Sequence, residues 1–158
     1  MALYSVQVGL SRCWRDIENA RFSPRIGHID LMASMSHLDK PILFLATANA
    51  ARSRDFYQRV LGLDFVADEP PALVFQVGYS MLRIQKVDHV QPAPYTAMGW
   101  SVSDIRRTVQ HLRGAGVVFQ RYEGMNQDDD NIWNAPSGAL VAWFHDPEGH
   151  VLSLTQFK

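Results

Sequence analysis

Cysteine is nearly missing from the chain: Cys13 is the only one in 158 residues. An internal disulfide is excluded, and a reducing, cytoplasmic setting is expected. An excess of one charge is missing too, since 15 Lys and Arg face 16 Asp and Glu, a net charge of −1. Without a basic surplus there is little to track phosphates, so nucleic acid is not expected as a partner. Long apolar runs are also lacking. The longest, such as 139–144, are strand-sized, well short of the roughly 20 residues of a spanning helix. No membrane partner is expected. The first ten residues are broken by polar positions and followed by Arg12, Arg15 and Asp16, which does not read as a signal peptide. The chain has no Gly-rich phosphate loop and no Gly-x-Ser-x-Gly elbow. What it does have is 47% hydrophobic and 20% charged residues, the balance of a globular domain. A chain of this size buries about 70% of its unfolded surface and needs neither metal nor disulfide to fold.

Residues 1–38 read differently from the rest. Their apolar residues keep no sustained period, and Pro24 and Gly27 interrupt them. This segment is expected to be an N-terminal extension, either a start-site artefact or a docking arm; the domain itself is placed at 39–158. From Ile42 the pattern sharpens. Ile42 to Thr47 is a strand, Asn49 caps a helix over 50–61, and Gly62 ends it. A strand over 63–67 and a hairpin over 72–77 and 81–87 follow. The order then repeats: a strand from Thr96, a helix capped by Asp104, and strands over 117–122, 139–144 and 151–157. Asn49 and Asp104 are 55 residues apart (104 − 49), and Phe65 and Phe119 are 54 apart (119 − 65). A near-constant offset predicts duplication of a β-α-β-β-β module. The fold class expected is α+β, with two paired modules forming a concave, half-barrel-like mixed sheet and helices outside.

Two stretches carry a family resemblance. Phe56-Tyr57-Gln58-Arg59-Val60-Leu61-Gly62-Leu63 resembles the helix-to-strand signature of the vicinal oxygen chelate superfamily, which holds glyoxalases, bleomycin-resistance proteins and dioxygenases. Asp146-Pro147-Glu148-Gly149-His150 resembles its closing turn. The resemblance covers roughly 39–157 and implies the paired-module fold. It also implies a divalent metal held by His, Glu or Gln near the first and last strands of each module. Counted onto this sequence, those positions hold Ile42, Arg83, Ala97 and Ser153. Ile and Ala offer no donor and Arg is always cationic, so the usual metal centre is not expected to carry over and no cofactor is predicted. His145 and His150, flanking Asp146, are the weaker alternative for a metal, although a tight turn at a sheet edge usually faces solvent. The resemblance further implies a homodimer.

Period-2 alternation picks out the cleft-facing residues. Phe44, Arg83, Gln85, Tyr95, Ala97 and Ser101 point into the concave side, while Trp100 and Leu82 turn to the helices. Trp143 shares a face with His145, and Trp133 is a candidate lid. Arg83 suits a bidentate grip on an acidic group, with pairing to a local acid as the competing role. Three functions follow. The first is a metal-free protein that binds a small acidic or aromatic molecule. The second is a lyase, isomerase or dioxygenase that relocates its metal ligands or uses metal-free acid–base chemistry. The third is an interaction module whose cleft is filled by its own side chains.

Overall fold

A computed structural model describes residues 40–158, of which Ile42–Lys158 form one unit. The expectations placed on 1–38, including the one for Cys13, lie outside the described residues.

The first module runs β1 (Ile42–Thr47), α1 (Ala50–Asp55), β2 (Asp64–Glu69), β3 (Ala72–Val77) and β4 (Ser80–Lys86). Asn49 caps α1 as its side chain accepts the Arg52 amide at 3.0 Å. The helix does not stop at Asp55 but widens into a π-turn over Phe56–Val60. There the Leu61 amide reaches back five residues to Phe56 O, at 3.0 Å. Gly62, at φ +69°, then turns the chain into β2, a conformation that suits glycine. The sheet order is β1-β4-β3-β2, with β1 parallel to β4.

The second module repeats this plan with β5 (Thr96–Ser101), α2 (Ile105–Gly114), β6 (Trp133–Asn134), β7 (Leu140–His145) and β8 (Val151–Gln156). Asp104 caps α2 through the Arg107 amide at 3.0 Å, as Asn49 does for α1. The order β5-β8-β7-β6 is the counterpart of the first sheet. Both sheets are mixed and both modules are β-α-β-β-β, so the α+β paired-module class stands. The duplication reaches the packing. Phe65 meets Phe75 edge-to-face at 5.4 Å, and Phe119 meets Phe144 at the same centroid distance.

One expected strand is replaced. Residues 117–122 form only a bridge from Phe119 to Phe144, and the fourth strand is the two-residue β6. Side chains take the place of the missing ladder. Gln127 accepts from the Tyr122 amide and donates to Gln120 O and Asn131 O. Asn131, at φ +57°, donates to Phe119 O. These backbone groups are satisfied without a partner strand. Asp128 holds the next turn by accepting the Asp130 and Ile132 amides and pairing with Arg106 at 2.7 Å.

The helix-side faces of both sheets supply one continuous core. Leu45, Leu73, Phe75, Leu82 and Ile84 from the first meet Met98, Phe144, Leu152 and Leu154 from the second, with Tyr57, Ile105 and Val109 of the helices between them. The opposite faces are the concave ones.

Candidate functional site

On the first sheet the register sets the concave face. Phe44 lies directly beside Arg83, Ala46 beside Gln85, and Ile42 beside Met81. Leu43 and Leu45 turn into the core instead. Ile42 and Phe44 are 51% and 55% exposed, unusual for large apolar residues in a strand. Arg83 is half-buried and its Nη2 donates to Glu69 Oε2 at 2.5 Å. Arg83 thus sits on the concave face and is paired there with a local acid. Lys86 similarly pairs with Asp68 at the end of the same hairpin.

On the second sheet the concave face is filled from within. Trp143 stands opposite Ser153 of β8, and Ser153 stands opposite Gly99 of β5. The Trp143 indole crosses β8, and its Nε1–H donates to Thr96 Oγ1 at 3.1 Å. Trp133 and Tyr122 close over it, with centroids at 5.9 and 5.7 Å, so that Trp143 is 2% exposed. This settles its face: it lies on the Ser153 side. Trp133 is no free lid but part of β6, beside Val141. Burial raises the pKa of the half-buried Tyr122 hydroxyl above the usual tyrosine range. Thr96 was missed by counting. The register steps from Thr96–Val151 to Met98–Leu152, so Ala97 is an extra residue in a bulge and Thr96 takes the concave face. Gly99 also has a packing reason, because a Cβ there would collide with Ser153 Oγ. Ser101 is exposed at the end of β5, and Tyr95 lies just before that strand, 62% exposed.

The closing turn does something else. Asp146 Oδ1 accepts the Glu148 and His150 amides at 2.9 and 2.8 Å, while Oδ2 accepts the Tyr57 hydroxyl at 2.8 Å. Glu148 Oε1 accepts the Thr47 hydroxyl and the Asn49 amide at 2.8 and 3.1 Å. Ser53 donates to Thr47 Oγ1 at 2.8 Å, and the His150 ring Nε2 meets Ala46 O at 2.9 Å. The second module's turn thus clamps the first module's β1 and α1. His150 is buried, a correction to the expected solvent-facing turn, because Ala46 O needs a partner there. His145 is exposed. Burial most of all, then the Asp146 charge, pushes the Tyr57 hydroxyl far above the usual tyrosine range, so it remains a donor. Desolvation is the largest influence on Glu148 and acts upward. The hydrogen bonds from Thr47, Asn49 and Ala48, with the Arg52 charge, together outweigh it and hold the carboxyl below its ordinary value.

These geometries accord with a match to the family model of the Glyoxalase/Bleomycin resistance protein/Dioxygenase superfamily over residues 25–154. The chain belongs to that superfamily. Three solved structures in the superfamily's fold are similar. A superfamily member from Sphaerobacter thermophilus is 20% identical, with 75% of this chain and 96% of that one covered at a TM-score of 0.60. A lactoylglutathione lyase from Agrobacterium tumefaciens is 16% identical, covering 73% and 90% at 0.57. TnmS3, an antibiotic binding protein from Streptomyces sp. CB03234, is 18% identical, covering 76% and 96% at 0.57. At these identities the likeness is one of fold. No curated protein matches the sequence.

The superfamily's divalent metal finds no fitting donor set at the counted positions. Ile42 and Ala97 have no donor atoms, Arg83 is a cation bound to Glu69, and Ser153 lies beneath the Trp143 indole. Among the described residues no three His, Cys, Asp or Glu side chains cluster as metal ligands. No helix among them is long and apolar enough to cross a membrane.

Proposed function

We propose that the chain is a metal-independent binding protein of the superfamily. It takes a small aromatic or acidic molecule on the concave face of the first sheet. The observation that carries this reading is the direct pairing of Phe44, more than half exposed, with Arg83. An exposed ring offers a stacking surface. The guanidinium has five N–H donors, and the Glu69 bond holds the fork in place while involving only one nitrogen. Gln85 adds an amide on the same face. The antibiotic binding protein among the fold neighbours supports a small-molecule ligand. The protein is proposed to be a homodimer, as the superfamily resemblance implies. The single Cys13 supports a cytoplasmic setting.

The test is a screen of aromatic acids by calorimetry, with Phe44→Ala and Arg83→Ala as controls. Arg83→Ala should weaken an acidic ligand by about 1.5–3 kcal/mol, the scale of a charged hydrogen bond. Unchanged affinity would remove Arg83 from the site. Metal content by mass spectrometry, after purification without chelator, tests metal independence. About one metal per protomer would restore the enzyme reading, with His145 and His150 the first residues to change. A second reading applies to the second module alone: Trp143 fills its concave face, which favours an interaction surface there over a pocket.

A further inference from the structure

The helix side carries a groove that the concave-face reading does not use. It lies where residues 59–63, from the end of the π-turn to the start of β2, meet 100–102 at the end of β5 and Thr108, His111 and Leu112 of α2, over Phe144 and Leu154. Its volume is about 320 Å³, at the lower end of small-molecule sites, which begin near roughly 300 Å³. Leu61, Leu63, Trp100 and Val102 are only partly buried there, although they pack against the core. Apolar surface is thus left uncovered where the two modules join.

The polar part of the groove has one electrostatic character. Arg59 and His111 are its exposed nitrogen-bearing side chains; Ser101 adds an exposed hydroxyl, while the Thr108 hydroxyl donates to Asp104 O at 2.8 Å. Arg59 is bound to Asp55 through Nε at 3.0 Å, and its two terminal nitrogens are additional donors. No Asp or Glu is among the described residues that line the groove. An apolar floor with a cationic, donor-rich rim complements one ligand type.

We propose that this groove is a second ligand site, for a small amphiphilic acid: an apolar body with a single carboxylate or sulfonate. The apolar body lies against Trp100 and the leucines, and the acid meets Arg59 and His111. Because the site draws on both modules, an occupant stabilises their folded arrangement by mass action.

The experiment uses the full chain and decanoate, below its micelle concentration, followed by backbone amide NMR shifts. Saturable shifts at 59–63 and 100–112, with a rise in melting temperature, are expected. Arg59→Glu with His111→Glu, both at exposed positions, should weaken decanoate about tenfold, or 1.4 kcal/mol. Thr108→Leu, which narrows the groove, should weaken it independently. Decanol and decyltrimethylammonium, which share the chain but not the acid, should bind at least tenfold more weakly. Absence of shifts, equal binding of all three amphiphiles, or shifts confined to Phe44 and Arg83 would each overturn the proposal. Loss of a dimer in Arg59→Glu, with no decanoate binding, would assign the groove to a second copy and overturn it too.

Discussion

Tyr57→Phe is the sharpest test of how the two modules are held. The substitution deletes one hydroxyl and keeps the ring. Tyr57 is fully buried and packs edge-on to Phe56 at 5.3 Å and against Phe75 at 5.8 Å. Those contacts survive in phenylalanine, so no large cavity forms. What is lost is the 2.8 Å bond to Asp146 Oδ2, leaving that oxygen buried without its donor. Asp146 still accepts two amides through Oδ1, so the turn itself should persist. A hydrogen bond to a charged group contributes about 1.5–3 kcal/mol. With a urea dependence of about 1–3 kcal/mol per molar, the unfolding midpoint should fall by about 1 M at unchanged slope. Tyr57→Ala should cost more, about 3–5 kcal/mol, because it adds a cavity. A Tyr57→Phe midpoint indistinguishable from the parent would refute the view that this bond holds the modules together.

Glu148 gives the clamp a pH dependence. Its carboxyl sits below the ordinary value in the folded chain, so its contribution is present above the unfolded-state pKa and lost as pH falls through the folded one. Stability measured by denaturant titration should therefore drop on acidification below about pH 4.5, the ordinary glutamate value. Glu148→Gln should flatten that part of the profile; an unchanged acid limb would count against the clamp. Trp143→Ala should destabilise by about 3–5 kcal/mol by opening a cavity over Ser153, read by thermal unfolding. A loss under about 1 kcal/mol would mean that the indole is not the packed floor described above.

The two motifs read at opposite ends of the domain turn out to touch. Tyr57 belongs to the helix-to-strand signature and Asp146 to the closing turn, and one hydrogen bond joins them. Local pattern located each motif, because capping and turn chemistry depend on neighbours in sequence: Asn49 and Asp104 cap as expected, and Gly62 turns at positive φ. Period 2 also placed Phe44, Arg83 and Gln85 on one face, since ladder geometry follows from spacing.

Contacts between distant segments were beyond that reach. A bulge at Ala97 shifted Thr96 onto the concave face, and only pairing with β8 reveals it. Gln127 and Asn131 replaced a strand with side-chain hydrogen bonds, a choice made by the fold around them. Local pattern allows Arg83 an acid partner but does not name Glu69; nor does the alternation show that His150 is buried against Ala46 or that Trp143 lies across Ser153. The sequence by itself determined most of the elements and the duplication, because these depend on residue type and short-range spacing. The tertiary structure alone decided which half of the concave surface stays open, because that depends on which side chains distant strands bring together.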